Sequence, residues 1–214
     1  MKRFIIRIFI LFLFVVAVDL SFGGLFSHLA YCAKGGNTGR INYIVNETDE
    51  DIIVLGSSRA ERHYNPKIFQ DSLGLTCYNC GQSGMGIISN YGIMELILHH
   101  HTPRLIIYDI TPPFDMLECE DNHKYLGILR RFYDDDNISD IFNSVDKKER
   151  VKMVSRMYRY NSIFTEILHD YIVPKQSSYY NGFTPLNSEM DTMKIKEQGG
   201  VQAPFLYDSR CPAP

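Results

Sequence analysis

The sequence predicts an α/β domain with a parallel sheet, placed behind an N-terminal hydrophobic helix. Three observations predict it. Short apolar runs occur at Ile52–Leu55, Leu75–Tyr78 and Arg104–Ile110, nearly continuous in the way of strands buried on both faces. Stretches with helical spacing lie between them, joined by short links, which is the order of a doubly wound layout. Ahead of all this, Ile8–Val18 (IFILFLFVVAV) carries no charge.

The N-terminus opens with Lys2, Arg3 and Arg7, and a basic start before an apolar core is a targeting signature. The uncharged run is shorter than the roughly 20 residues of a full span. Phe4–Leu29 is long enough, provided Arg7 and Asp19 snorkel or find partners. We read 1–30 as an uncleaved signal anchor, with a cleaved signal and a buried helix as the other readings. The positive charges put its start in the cytoplasm and the domain on the extracytoplasmic, periplasmic side. Residues 31–50, rich in glycine and asparagine, read as a linker. Residues 51–190 read as the α/β domain, and 191–214 as an irregular tail without periodicity.

Within the domain, the first strand ends in Gly56-Ser57-Ser58-Arg59. Asn65-Pro66 marks a helix start, Ile68, Phe69 and Leu73 repeat at helical spacing, and Gly74 stops the helix. The second strand runs into Asn79-Cys80-Gly81-Gln82-Ser83-Gly84. A second helix spans Ile87–His101, Pro103 ends it, and the third strand leads to Thr111-Pro112-Pro113. Asn122–Tyr133 and Asp146–Ile172 also read as helical. A serine on the first turn and bare backbone N–H groups on the second, at the same end of neighbouring parallel strands, are parts of an acyl-transfer site.

Composition excludes several classes. A formal charge of −3 and no basic run interleaved with aromatics argue against a nucleic-acid partner. Five cysteines make an odd count, and Cys77-Tyr78-Asn79-Cys80 has metal-like spacing without a second pair, so buried thiols are the preferred reading. His99-His100-His101 reads as a solvated helix end, and Asp134-Asp135-Asp136 as an acidic turn lacking the glycine and distal glutamate of a calcium loop. No metal or cofactor is expected.

The stretch of about 51–115 resembles the SGNH/GDSL hydrolase superfamily. Gly56-Ser57-Ser58-Arg59 resembles its first block and Asn79-Cys80-Gly81-Gln82-Ser83-Gly84 its second. The variant Gly-Ser-Ser-Arg-Ala, with His63-Tyr64-Asn65-Pro66 after it, is similar to a membrane-anchored, envelope-facing branch of Bacteroidetes type. The resemblance implies a flavodoxin-like three-layer α/β/α fold of SGNH type. It implies Ser58 as nucleophile and Gly84 as oxyanion-hole glycine, with Gly81 shaping the turn and Asn79 and Gly81 as substrate-binding residues. It implies a serine esterase or O-acyltransferase acting on acylated cell-envelope glycans.

The chain departs from the superfamily in two places. The late Asp-x-x-His that supplies base and orienter is missing, and the third block reads Asp109-Ile110-Thr111-Pro112-Pro113, where only Thr111 can donate. Losing one oxyanion donor costs about 3 kcal/mol of transition-state stabilisation. His63, five residues after Ser58, is either a polar group near the site or a ring stacked under Tyr64. Arg59 either grips a substrate carboxylate or phosphate, or pairs with Asp109 or Asp115. Three strands where five are usual, and no late histidine motif, suggest a truncated or frame-shifted domain with little or no turnover. The alternative is a non-catalytic glycan-binding or accessory envelope protein that keeps the crevice.

Overall fold

The computed structural model describes residues 1–116, 122–173 and 180–186. The tail read at 191–214, together with Cys119 and Cys211, lies outside the described residues. Helix α1 (Lys2–Cys32) and α2 (Gly36–Asn46) lead into strand β1 (Ile52–Gly56). Then follow α3 (Ser58–His63), α4 (Pro66–Leu73), β2 (Cys77–Asn79), α5 (Ile87–Leu98) and β3 (Leu105–Asp109). The short α6 (Pro112–Asp115) precedes a 3-10 helix at Asn122–Phe132, and α7 (Asp136–Val145), α8 (Lys147–Lys152), a second 3-10 helix at Tyr158–Tyr160 and α9 (Phe164–Ile172) complete the described elements.

The three strands form a parallel sheet in the order β2-β1-β3, with Ile52 opposite both Cys77 and Leu105 and Gly56 opposite Asp109. Strand β1 is fully buried because it lies between the other two and is covered on both sides. Ile53 and Leu55 face a core built with Ile41 and Ile44 of α2, Ile93 and Leu96 of α5, and Leu126, Leu129 and Phe142 beyond. Ile52 and Val54 face the other way, onto Ala60, Tyr64 and Phe69 from α3 and α4. This is the period-2 alternation of a strand between two helical layers.

The α4 boundaries follow the residues that mark them. The Asn65 side chain accepts from the Lys67 N–H, Pro66 opens the helix, and Gly74 closes it at φ +66°. Along β2, the outer edge is held by residues 180–186: Asn79 N–H donates to the Asn181 carbonyl at 2.9 Å, and Asn181 Nδ2 returns a bond to the Cys77 carbonyl.

Two readings of the sequence are corrected here. Residues 31–50 are not a plain linker, because α2 occupies most of it and buries Ile41, Ile44 and Val45. The carboxylate of Asp170 accepts from the Thr38 N–H at 3.0 Å and holds its first turn. The stretch Asp146–Ile172 is not one helix. Between α8 and α9 the N–H groups of Arg156 and Met157 donate to Asp19 of α1, at 2.9 and 3.1 Å, and Ser162 adopts φ +72°. Backbone donors taken by a side chain from another helix no longer serve an α-helical ladder.

Helix α1 is long and apolar enough to cross a membrane, and its apolar window is bare of protein contact. Its second half behaves differently, packing Phe26 and Ala30 against Tyr160 and Ile167.

Candidate functional site

Parallel strands bring the turns after β1, β2 and β3 to one end of the sheet. Hydrogen bonds stitch the three turns together. Gln82 N–H donates to the Gly56 carbonyl at 3.1 Å, and Gly56 N–H donates to Asn90 Oδ1 of α5 at the same distance. The hydroxyls of Ser57 and Thr111 share a bond of 2.9 Å. Glu61 of α3 accepts from both the N–H and the hydroxyl of Ser83.

Two glycines let the turns approach. A Cβ on Gly56 would stand 2.8 Å from Cβ of Ala60, and one on Gly81 would stand 2.6 Å from the same atom. Both distances are closer than carbon atoms pack, so Gly56, Ala60 and Gly81 form a single steric unit. Gly56 also has φ +146°, a conformation that side chains rarely adopt.

Ser58 is the first residue of α3 and is half-buried. The preceding Ser57 occupies the N-cap position, but its hydroxyl is turned to Thr111 and makes no capping bond. The first-turn N–H groups of α3 are therefore left without a side-chain acceptor, beside the Ser58 hydroxyl. Gly84, with φ +79°, is exposed on the second turn.

Other expected site residues have structural partners. Arg59 is a fork on Asp109: its Nε lies 3.0 and 2.8 Å from the two carboxylate oxygens and its Nη2 2.5 Å from one, with a further bond to the Ile110 carbonyl. That carboxylate holds the Arg59 pKa above its ordinary value. Asn79 is fully buried and spends both amide protons on the carbonyls of Ala60 and Tyr64, while its Oδ1 accepts from Gly81 N–H. Asn79 and Gly81 thus brace the turn from within and, being buried, do not face a substrate as the sequence suggests. Thr111 has its hydroxyl on Ser57 and its N–H on Asp115. His63 ends α3, exposed. Five helical residues turn it about 140° away from Ser58 around the helix axis.

The chain has seven histidines, and none of them is hydrogen-bonded to Ser58 among the described residues. His100 and His101 contact the Thr48 and Glu50 carbonyls, ahead of β1 and so at the opposite end of the sheet. His99 pairs with Asp135 at 3.3 Å, so these rings are not the plain solvated end that the sequence suggests. His123 lies in the first turn of the 3-10 helix at Asn122–Phe132, whose Tyr125 carbonyl takes the Ser89 hydroxyl at the first turn of α5.

Comparison of the chain with known protein families, with curated proteins and with solved structures finds no match. The site is accordingly described by its own chemistry. Among the described residues no group of His, Cys, Asp and Glu could hold a metal ion. Cys77 and Cys80 are free and buried, and loss of hydration pushes the Cys77 thiol up to about 11.

One contributor escaped the sequence reading. Arg40 of α2, in the stretch read as a linker, donates through Nη2 to the carbonyls of Asn79, Gly81 and Gly182. It clamps the second turn from the far side. The helical spacing of Ile41, Ile44 and Val45 next to it was the available signal.

Proposed function

We propose that the chain carries a serine acyl-transfer site of SGNH type on a flavodoxin-like α/β/α scaffold, presented at a membrane surface to acylated cell-envelope glycans. Ser58 is the nucleophile, and the Ser58 and Gly84 N–H groups hold the oxyanion. One observation carries this reading: among the described residues no hydrogen bond holds the Ser58 hydroxyl, at the uncapped first turn of α3 where three turns converge. The strand order β2-β1-β3 supports it, because a flavodoxin-like sheet begins in that order. Helix α1 is the membrane anchor, with Lys2, Arg3 and Arg7 on the cytoplasmic side and the domain on the other.

A specific observation favours a second reading, a non-catalytic glycan-binding or accessory protein on the same fold. The carboxylates near Ser58 are occupied elsewhere: Glu61 by Ser83, Asp109 by Arg59, and Asp115 by Tyr108 and Thr111. A serine without a base within hydrogen-bond reach is a weak nucleophile. Labelling of the full chain by a fluorophosphonate separates the two. Labelling abolished by Ser58→Ala, and kept in Ser57→Ala, supports the catalytic reading. An unlabelled wild-type protein that still binds acylated glycan supports the other.

A further inference from the structure

Asp19 marks the level at which α1 meets the domain. Residues 1–18 are exposed on all sides, while Asp19 accepts from the Ser155 hydroxyl and from the N–H groups of Arg156 and Met157. A carboxylate so satisfied can sit at the edge of the hydrocarbon layer. The helix from Phe4 to Val18 is about 22 Å long, near the thickness of that layer once Arg7 snorkels to the cytoplasmic face.

The part of the domain nearest this level looks like a membrane-contacting surface. Val151 and Val154 are 71% and 82% exposed, immediately before the turn that Asp19 holds. Lys147, Lys148, Arg150 and Arg156 are exposed around them. Apolar tips among cations are the composition of an interfacial contact.

Directly above lies a cleft of about 450 Å³ between α1 and the domain. Gly23, Gly24 and Ser27 form the α1 wall, and Arg131, Arg156 and Arg159 line the opposite one. The absence of side chains at Gly23 is required, because a Cβ there would stand 2.4 Å from Cβ of Arg156. Arg159 is already paired with Asp134 at 2.8 Å. Arg131 is not: its Nη2 is buried without a hydrogen-bond partner among the described residues, and its guanidinium lies over Phe132. Loss of hydration lowers its pKa to about 10, which leaves it cationic at neutral pH. A buried guanidinium donor without an acceptor is costly, and because Arg131 lines the cleft a turn of its side chain would bring that donor onto an anion bound there.

The height fits one ligand. Gly23–Ser27 lie roughly 6–12 Å beyond Asp19 along the helix, which is the depth of lipid headgroups outside the hydrocarbon.

We propose that this cleft binds the phosphate of an anionic phospholipid from the bilayer that α1 spans, with Arg131 and Arg156 as its donors. The inference rests on the reading of α1 as the anchor and is independent of Ser58. A bound headgroup would fix the height and tilt of the domain on the leaflet.

The test uses the full chain, purified in detergent and studied by native mass spectrometry with added phosphatidylglycerol or phosphatidylcholine. The expected result is one retained phosphatidylglycerol, preferred over phosphatidylcholine by at least about fivefold, the worth of one cation near an anionic surface. Arg156→Gln, at an exposed position that leaves the core untouched, reduces retention about fivefold. Arg131→Gln reduces it further. Lys148→Gln, outside the cleft, leaves it unchanged. Equal retention of the two lipids, or displacement of phosphatidylglycerol by inorganic phosphate, overturns the inference. Because the chain has no tryptophan, Leu13→Trp gives a single reporter of the anchor. Its quenching by deep nitroxide lipids in nanodiscs, with no lipid preference, refutes the headgroup site and leaves the anchor standing. No quenching refutes both.

Discussion

The Arg59–Asp109 pair separates a structural from a ligand-binding role for the residue beside Ser58. The two partners differ in burial: the Asp109 side chain is 6% exposed and that of Arg59 53%. Three contacts of 3.0 Å or less join them. An exposed pair is worth less than about 1 kcal/mol, whereas breaking a fully buried one costs about 3–5 kcal/mol. Half-exposure of the arginine places the coupling between these, at about 2 kcal/mol. The singles are unequal. Arg59→Ala strands a buried carboxylate and costs about 3 kcal/mol, while Asp109→Ala leaves a guanidinium that water can solvate and costs about 1.5 kcal/mol. The assay is a double-mutant cycle by urea unfolding of the full chain in detergent, followed by far-UV circular dichroism. One molar salt screens the coupling only slightly, because Asp109 is shielded from solvent. Equal single costs with a coupling under about 0.5 kcal/mol would refute the argument and return Arg59 to the pool of free ligand-binding groups.

Three further outcomes follow from the packing. Cys77 carries a folded-state pKa near 11, against about 8.5 unfolded, so its contribution is intact below the unfolded value and is lost as pH rises towards the folded one. Urea unfolding should lose up to roughly 3 kcal/mol of stability through this thiol between about pH 9 and 11, and Cys77→Ala should make the alkaline fall shallower by that share while the raised Cys80 thiol keeps the rest. Gly182 has φ +79° and a Cβ there would meet the Asn79 carbonyl. Gly182→Ala should cost about 2 kcal/mol and speed hydrogen exchange at the Asn79 N–H, which donates to Asn181. Glu149 is buried among Arg130, Lys152 and the Tyr158 hydroxyl. Glu149→Ala should destabilise by about 4 kcal/mol on urea unfolding, because Arg130 is left largely buried without its counter-charge.

The central α/β unit was legible because its signals are local. Continuous apolar runs marked β1, β2 and β3, and Asn65, Pro66 and Gly74 marked α4 with the cap chemistry that the structure uses. The turn glycines were legible as glycines, although their common reason, room for Ala60, needs three elements in contact. Parallel pairing of the strand ends puts Asp109 beside Arg59, so the sequence offers this pair together with the ligand-gripping alternative, and the fork decides between them. Most other long-range partners leave no local sign in the sequence. The helix break at 153–163 was hidden for the same reason, since Asp19 captures its donors from 137 residues away. The α2 helix was missed because glycine and asparagine disfavour helices intrinsically, and burial against α5 and α9 overrides that preference.

The α1–domain junction changes how the sheet end must work. A flexible linker would let the domain sample many heights above a surface. Here the second half of α1 shares a core with Tyr160 and Ile167. Polar locks close both ends of that contact, with Asp19 on the Ser155–Met157 turn and Asn42 on the carbonyls of Ala30, Tyr31 and Ala33 at the α1 C-terminus. Helix α2 then passes rigidity on, since Arg40 grips the carbonyls of Asn79 and Gly81 in the second turn. The turn that carries Gly84 is thus linked by packed side chains and hydrogen bonds to the helix that leaves the domain at Asp19. With α1 in a bilayer, the sheet end holding Ser58 moves with the helix as one body, and on the proposed acyl-transfer reading a substrate has to arrive there instead of being sought by a tethered domain. On that reading, a change that loosens Asp19 or Asn42 acts on substrate access without touching Ser58, which distinguishes this architecture from a domain on a flexible tether.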